Sequence, residues 1–460
     1  MDHENGGTSC RERGQCVDSV DYNDRRLEDI SATLDCAETF LASYSFVYDF
    51  NNVKILSESR IRDFPEPWLA HVTNIRAEDA AFAAVKASIA NPDKLHDNFP
   101  ALEEFLQFCR ERKELAGLFQ ELLNNDTSSE PCGGEGPPLP LPYSLERGMT
   151  QKKAHEVVRM ARFVGNACKE DGVTHVIDVG SGVGNLGRVL SEVYGLRVSC
   201  LEGDAQIARA AERRRRHGGN VAYFNLRVGR DSAGELEDVA KSGGDGGRVA
   251  LVGLHCCGDL SSDMMNLFLA VPCISLLALV PCCFHKASPS NASMRSVSRV
   301  AKSPFMRRLA VQDSYSKWEG QTEAEHERHM RVFGYRAILE DFVRRNGISV
   351  EKRRRRGRRT DSTATFKSWF AENFVITGDY DEEELVNFVE ENMENLPVLE
   401  FVTGLQQSLQ DLVLSHLVMD RVEFLLRHSS VKDARAYELF DADISSVNKL
   451  LFCTKYDCEL

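Results

Sequence analysis

The chain has 460 residues, and this length predicts more than one domain, because a single hydrophobic core usually stops growing at about 250–300 residues. Its net charge of −14 argues against an electrostatic grip on nucleic acid by the whole protein. The 14 cysteines come without an amino-terminal signal pattern, so we expect a reducing compartment, cytoplasmic or nuclear, and no secreted disulfide framework.

Composition divides the sequence into four regions. Residues 1–26 are polar, and we predict a disordered tail. Residues 27–127 carry apolar residues at helical spacing, which predicts a helical amino-terminal domain. Residues 128–147 are rich in Pro and Gly and are interpreted as a linker. Residues 148–460 then form a second domain.

Within the second domain, short apolar runs alternate with helical patterns, which predicts an α/β fold with a parallel sheet. The predicted strands are Val173–Val179, Arg197–Leu201, Val221–Leu226, Arg248–Leu254 and Ile274–Val280, followed by an antiparallel pair at Ala434–Phe440 and Asn448–Tyr456. Such a closing hairpin is typical of the class I (Rossmann-like) methyltransferase sheet. An insertion is predicted between the fifth and sixth strands, at about residues 287–379.

One uncharged segment, Leu267–Phe284, has the hydropathy of a membrane span. Pro272 and Pro281 interrupt it, and the piece between them has the length of a strand. A central parallel strand is buried on both faces and therefore reads as a continuous apolar run. We predict the end of a helix followed by a buried strand, and no membrane partner.

A glycine-rich turn follows the first predicted strand. Asp178 ends this strand, and Gly180, Gly182 and Gly184 alternate before an apolar helical pattern. Glycines in such a turn let a ligand approach the backbone, and Glu202 at the end of the second strand is placed to accept hydrogen bonds from a ribose diol. These residues predict a nucleotide-cofactor site.

Two cofactors fit this pattern. Gly182, Gly184 and Gly187 also form the dinucleotide spacing, with Glu202 about twenty residues later. A carboxylate at Asp178 would lie near the pyrophosphate of a dinucleotide, whereas it would help to orient the cation S-adenosylmethionine. We therefore expect S-adenosylmethionine, with a dinucleotide or a non-binding domain as the alternatives.

The helix before the first strand supplies two weaker candidates. Lys153 and His155 lie in the helical pattern Gly148–Val164 and are candidates for binding the methionine carboxylate of the cofactor. The alternative for both residues is a charged, solvated helix face.

Cysteine, histidine and aspartate residues are concentrated where the fourth and fifth predicted strands end. Ligands of doubly wound sheets bind at the carboxyl ends of strands, so we predict that these side chains form the acceptor side of an active site. They are His255, Cys256, Cys257, Asp259, Cys282, Cys283 and His285.

Three interpretations of this cluster stay open. The favoured one is that His255 and Asp259 position or deprotonate the acceptor while the cysteines pack as small apolar residues. Zinc held by two Cys and two His is less favoured, because the spacing lacks a CxxC knuckle, and no metal is predicted. The third is a cysteine nucleophile that adds to a pyrimidine ring.

Seven motifs, taken in order, resemble the methyltransferase-like 25 family. They are MTQKKAHEV, VIDVGSGVGNLGR, CLEGD, GLHCCGDLS, VPCCFH, GYRAILE and LFDADISSVNKLLFCTK. The resemblance covers the chain from about Leu34 to Tyr456. It implies a class I fold, S-adenosylmethionine as cofactor, and a methyltransferase whose substrate is poorly defined.

A weaker similarity favours RNA over protein as the methyl acceptor. The His-x-Cys-Gly and Cys-Cys-x-His motifs resemble those at the catalytic edge of eukaryotic tRNA 2′-O-methyltransferases. Enzymes that methylate the amine of adenine carry an Asn/Asp-Pro-Pro-Tyr type motif after strand four, where this chain has His255 to Gly258. N6-adenine methylation is therefore not favoured. The alternatives are a protein methyltransferase and a non-catalytic RNA- or protein-binding scaffold.

Two basic runs complete the sequence pattern. Arg213–Arg216 ends a predicted helix, where cations favour the negative helix terminus. Lys352–Arg359 lies in the predicted insertion, and it is interpreted as a phosphate-binding run, a nuclear import signal or a solvated loop.

Overall fold

The structure is a computed structural model, and it describes residues 11–75, 86, 89, 103–124, 141–214, 220–243, 247–295, 298, 301–353 and 365–456. The chain divides into two compact units. Unit 1 comprises Met1–Thr39, Leu115–Lys302 and Leu414–Leu460, and unit 2 comprises Phe40–Glu114 and Ser303–Val413.

The described residues form nine strands. They are β1 (His175–Val179), β2 (Arg197–Glu202), β3 (Val221–Asn225), β4 (Val249–Cys257), β5 (Ile274–Cys282), β6 (Ser349–Lys352), β7 (Phe374–Thr377), β8 (Val431–Glu438) and β9 (Lys449–Lys455). Seven of them form one sheet in unit 1, in the order β3-β2-β1-β4-β5-β9-β8. Its first five strands are parallel, and β9 runs antiparallel to both β5 and β8. The predicted α/β class with a closing antiparallel hairpin is confirmed.

Helices precede, connect and follow these strands. Those in the described part of the chain are α1 (Arg11–Ser43), α2 (Glu66–Ile75), α3 (Glu103–Asn124), α4 (Tyr143–Glu146), α5 (Gln151–Glu170), α6 (Asn185–Tyr194), α7 (Ala205–Arg213), α8 (Ala233–Ser242), α9 (Leu260–Ala270), α10 (Pro304–Leu309), α11 (Tyr315–Glu319), α12 (Glu323–Arg345), α13 (Phe366–Asn373), α14 (Glu382–Asn392) and α15 (Leu396–Leu426). The helices of the amino-terminal part were expected from its apolar spacing.

The core of unit 1 lies between the sheet and helices α5 and α6. Every second residue of β5 belongs to it, namely Leu276, Ala278 and Val280, together with Met160 of α5 and Leu190 of α6. All nine residues of β5 are buried, because the strand is covered on both faces. Each such Leu or Val side chain stabilises the fold by about 1.5–3 kcal/mol. This packing holds the carboxyl ends of β1, β4 and β5 in place.

Strands β4 and β5 run further than predicted. The expected ends were Leu254 and Val280, but the strands continue to Cys257 and Cys282, which lie opposite each other in the parallel register. A register shift lies between Gly253 and Cys256, and beyond it Cys256 pairs with Pro281. Proline has no backbone N–H to donate to a sheet hydrogen bond, so it is uncommon inside a strand. Composition therefore did not indicate that β4 and β5 continue beyond their apolar residues.

No helix in the described ranges is both long enough and apolar enough to cross a bilayer. The apolar segment Leu267–Phe284 consists of the end of α9 and the whole of β5. The predicted helix end and buried strand are therefore present.

The division of the chain differs from the predicted one. Helix α1 begins at Arg11, inside the predicted disordered tail of residues 1–26. The predicted helical domain, residues 27–127, is shared between the two units, and the predicted insertion contributes residues 287–302 to unit 1. The spacing of apolar residues indicates where helices form, but it does not indicate which distant segments they pack against. The predicted domain boundaries therefore differ from the observed units. Most of the predicted linker, residues 128–140, lies outside the described residues.

Unit 2 is helical, with β6 and β7 as an antiparallel pair. One hydrophobic cluster of unit 2 combines aliphatic and aromatic residues of α12, α13, α14 and β7. The rings of Trp369 and Phe374 lie 5.1 Å apart, and Phe342 lies 5.4 Å from Phe388.

Candidate active site

The predicted glycine turn follows β1 and requires glycine at three positions. Gly180, Gly182 and Gly184 have φ angles of +66°, +57° and +75°, a region that other residues enter only at a cost of about 1–2 kcal/mol. A Cβ at Gly184 would lie 2.6 Å from the ring of Tyr223, so this glycine allows close packing. A Cβ at Gly182 would meet no atom of the described residues within 4 Å. The backbone at Gly182 is therefore open to a ligand.

Asp178 is buried directly beneath this turn. Its carboxylate accepts a hydrogen bond from the backbone N–H of Gly187, but Oδ2 has no hydrogen-bond partner among the described residues. Burial raises the pKa of Asp178 to about 7, although the positive charge of Lys153 opposes the shift. An uncompensated buried carboxylate favours a positively charged ligand at the turn.

Glu202 fixes the turn from the end of β2. Its Oε2 accepts the backbone N–H of Gly182 at 3.0 Å, and its Oε1 accepts that of Asp204 at 2.8 Å. Asp204 in turn caps α7 by accepting the N–H groups of Gln206 and Ile207. The structure thus brings Glu202 to the glycine turn.

Of the two candidates on α5, Lys153 lies beside the turn and His155 does not. Burial lowers the pKa of Lys153, while the charges of Glu156 and Asp178 oppose the shift. His155 accepts the backbone N–H of Asp441 at its Nε2, at 3.1 Å, and its ring packs against Phe440. His155 therefore fastens the loop between β8 and β9.

Sequence reasoning missed Glu156, a buried carboxylate at the centre of the site. It accepts hydrogen bonds of 2.9 Å from Ser445 Oγ and from Nε2 of His255. Burial would raise the pKa of Glu156, but the bonds from His255 and Ser445 and the charge of Lys153 outweigh it, and the pKa is lowered. The available signal was its position one turn before Met160, on the apolar face of α5.

His255 is a partly exposed residue near the end of β4, held from one side. Its side chain is 39% exposed, and the partner of its Nε2 is Glu156. Because an ionised carboxylate only accepts hydrogen bonds, Nε2 carries the proton, and neutral His255 has its lone pair on Nδ1. The ring is therefore oriented to accept a proton at Nδ1.

Asp259, which was predicted to act on the acceptor together with His255, is hydrogen-bonded to the segment after β5. Its Oδ1 accepts the backbone N–H of Ser288 at 2.7 Å and the hydroxyl of Ser288 at 3.0 Å. These bonds hold the segment that follows β5. The carboxylate that orients His255 comes from α5, not from the start of α9.

The cysteines fall into two groups. Cys256 is buried, with its Sγ 3.2 Å from Sδ of Met264. The Sγ atoms of Cys257, Cys282 and Cys283 all lie within 4.8 Å of one another. We call these three the thiol cluster. His285 follows on a short 3-10 turn, Phe284–Lys286, and is not part of it.

Within the thiol cluster, Cys257 ionises first. The hydrogen bonds with Cys282 and Cys283 lower the pKa of Cys257 to about 6 against the effect of burial, and the charge of Lys286 adds to this shift. The same hydrogen bond, together with burial, raises the pKa of Cys282. Burial raises the pKa of Cys283. The exposed sulfur of Cys257 and the buried sulfur of Cys282 lie 3.2 Å apart.

A parallel sheet closed by an antiparallel hairpin, with a glycine turn after β1, is the fold of class I methyltransferases. Residues 152–290 match a family described as "Methyltransferase domain", and this range includes every predicted site residue. The chain therefore contains a methyltransferase domain.

Among the curated proteins that match, one is similar over a short segment. Over 68 residues the chain is 38% identical to the Homo sapiens protein described as "Probable methyltransferase-like protein 25". The match covers 15% of this chain and 11% of that protein, so it spans about a tenth of the relative's length. No solved structure matches the chain.

Proposed function

We propose that the protein is an S-adenosylmethionine-dependent methyltransferase. The observation that carries this proposal is the buried Asp178 Oδ2, which lacks a partner in the described part of the chain, beneath a turn that is open at Gly182. A cationic cofactor compensates the charge of this carboxylate, whereas the pyrophosphate of a dinucleotide is repelled by it. Asp178 thus favours S-adenosylmethionine over NAD.

The residues around the turn fit the parts of this cofactor. Each carboxylate oxygen of Glu202 accepts one backbone N–H and retains a further lone pair for a ribose hydroxyl. Lys153, beside Asp178, supplies a positive charge for the methionine carboxylate. When bound, S-adenosylmethionine supplies an electrophilic methyl group.

His255 is the proposed general base on the acceptor side. With Nε2 held by Glu156, its Nδ1 takes the proton of the acceptor as the acceptor atom becomes nucleophilic. Glu156 is a positioning residue, because it fixes the ring and stabilises the imidazolium that forms. Ser445 and Lys153 keep Glu156 ionised and in place.

We propose RNA as the methyl acceptor. The support is the resemblance of the motifs at His255 and Cys282 to those of tRNA 2′-O-methyltransferases, and the basic run Lys352–Arg359. Residues 354–359 of this run lie outside the described residues. The motifs also resemble those of methyltransferase-like protein 25B. We propose that the protein methylates its acceptor in the cytoplasm or nucleus.

The test is transfer of tritium from labelled S-adenosylmethionine to a whole-cell extract by the purified full chain. Nuclease or protease digestion of the products then shows which class of molecule carries the label. We expect nuclease to release it, and Gly182→Arg to give none, since that side chain fills the open space at the turn. Label released only by protease would contradict the RNA proposal, and equal transfer by Gly182→Arg would contradict the cofactor site.

A further inference from the structure

We propose that Cys257, Cys282 and Cys283 bind one Zn²⁺ ion. This site is distinct from the cofactor turn and does not depend on methyl transfer. The sequence pattern did not favour a metal, because the three thiols come from the ends of two strands and form no CxxC knuckle.

The sheet itself brings the first two thiols together. Cys257 and Cys282 are direct partners in the parallel register of β4 and β5, and their Sγ atoms lie 3.2 Å apart. The register shift after Gly253 sets this pairing. Without it, Cys282 would lie opposite another residue of β4, so the irregularity in the ladder aligns the two sulfurs.

A left-handed residue brings in the third thiol. In an extended chain, consecutive side chains point to opposite faces, so Cys282 and Cys283 would place their sulfurs apart. Cys283 has a φ of +49°, a conformation that a residue other than glycine adopts only at a cost. This turn returns its Sγ to within 4.8 Å of the other two. Strained backbone conformations occur often at ligand sites, and here the strained residue brings three thiols together.

The separations match zinc better than a covalent bond between sulfurs. Tetrahedral zinc with Zn–S bonds of about 2.3 Å places its sulfur ligands about 3.8 Å apart. The sulfurs of Cys257 and Cys282 lie 3.2 Å apart, and no pair among the three exceeds 4.8 Å, so small side-chain movements reach this value. A disulfide needs about 2.0 Å and one partner for each sulfur, which would leave the third thiol unused.

The exposure of the cysteines shows where an ion can enter the thiol cluster, and their number leaves one coordination position open. Cys257 is exposed, Cys283 is half-buried and Cys282 is buried, so an ion enters from the Cys257 side. Three protein ligands leave the fourth position of zinc for water or another small ligand, as in catalytic zinc sites. Cys256 is excluded, because its Sγ lies against Met264.

The first experiment measures zinc in the full chain, purified without a metal-affinity tag and under reducing conditions. We expect about one zinc per chain, and at least a tenfold loss in each of Cys257→Ser, Cys282→Ser and Cys283→Ser. The matched control is Cys273→Ser, a partly exposed cysteine outside the thiol cluster, which should retain the zinc. Zinc retained by all three cluster variants would overturn the proposal.

A second experiment uses the unaltered chain, so it does not depend on how well the variants fold. The metal is removed with a chelator, Zn²⁺ is added back, and alkylation of each cysteine is followed by mass spectrometry. We expect zinc to slow the alkylation of Cys257 and Cys283 at least tenfold, and that of the exposed Cys36 not at all. Unchanged rates at Cys257 and Cys283, or a Cys257–Cys282 disulfide in place of metal, would overturn the proposal.

Discussion

Nε2 of His255 lies 2.9 Å from Oε2 of Glu156, and this hydrogen bond joins the end of β4 to the start of α5 across 99 positions of sequence. The carboxylate is buried and is also held by Ser445, so it cannot turn away from the ring. A histidine fixed in this way keeps Nδ1 as the ring nitrogen that can accept a proton, which is the arrangement a general base needs.

If His255 is the base, His255→Ala should lower kcat for methyl transfer by about 10²–10⁴. Glu156→Gln keeps the shape but loses the charge that stabilises the imidazolium, so kcat should fall while KM for the cofactor stays constant. Ser445→Ala removes a different hydrogen bond to the same carboxylate but leaves its charge, so it should lower kcat less than Glu156→Gln does. Steady-state kinetics with labelled cofactor measure all three, and normal kcat in His255→Ala would contradict the assignment.

Asp178→Asn should make the cofactor-free protein more stable at pH 8 and unable to bind S-adenosylmethionine. Burial raises the pKa of Asp178 from its ordinary 3.8 to about 7, so the folded state keeps a proton that the unfolded state releases. The free energy of unfolding of the unaltered chain therefore falls as pH rises from about 4 to 7, by roughly 4 kcal/mol in total. Asn has no such charge to bury.

Urea unfolding of the unaltered chain and of Asp178→Asn at a series of pH values checks this prediction. The difference in the free energy of unfolding should be largest at pH 8 and should narrow as pH falls towards 4. A difference that is independent of pH would show that the carboxylate is compensated within the folded chain.

Gly182→Ala should weaken cofactor binding, and Gly195→Ala should not. Both glycines have a left-handed φ and open space at the Cβ position, so the two variants share the same backbone strain. They differ in position, since Gly195 caps the far end of α6. Calorimetric titration of both variants with S-adenosylmethionine distinguishes an effect of backbone strain from steric exclusion of the cofactor by the new side chain. Equal affinities in the two variants would argue against a ligand at the turn.

Glu202→Ala should also weaken cofactor binding, by about 1–3 kcal/mol, because a ribose diol and two backbone N–H groups would lose their acceptor. The same titration measures it. Unchanged affinity would place the ribose elsewhere.

The basic run Lys352–Arg359 should contribute to RNA affinity and not to catalysis. Replacing Arg353–Arg356 with Ser should flatten the dependence of log K on log salt by about 0.7–0.9 for each phosphate that the protein no longer neutralises. The matched control replaces another four arginines, Arg213–Arg216, a run that begins at the last residue of α7, and it should leave the slope unchanged. Binding titrations at several salt concentrations compare the variants, and equal slopes would assign the run to a solvated loop.

The features that could be predicted from the sequence are those that depend on residues close together in the chain. The spacing of Asp178, Gly180, Gly182 and Gly184 reports a turn within seven residues, and the strands follow from local apolar runs. The partner of His255 could not be predicted in this way. It depends on how α5 packs on the sheet, and several acidic residues near the predicted site, Asp259 among them, were equally available.

The contacts within the thiol cluster could not be predicted from the sequence either. The sequence places Cys257 and Cys282 near strand ends, but their pairing depends on a register shift, and the position of Cys283 depends on one left-handed residue. A change of one residue in register reverses which face a side chain occupies. The sequence pattern therefore indicates which residues are near the site but not which ones meet.

The place of β9 in the sheet has a consequence for synthesis on the ribosome. Strand β5 is wholly buried and pairs with β9 on one side, yet about 170 residues separate the two strands in the chain. At a synthesis rate of about 5–20 residues per second, β9 is made roughly ten to thirty seconds after β5. The apolar edge of β5 stays unpaired during this time. An unpaired apolar edge strand is a template for aggregation, so we expect nascent chains of this protein to be most prone to aggregate during that interval.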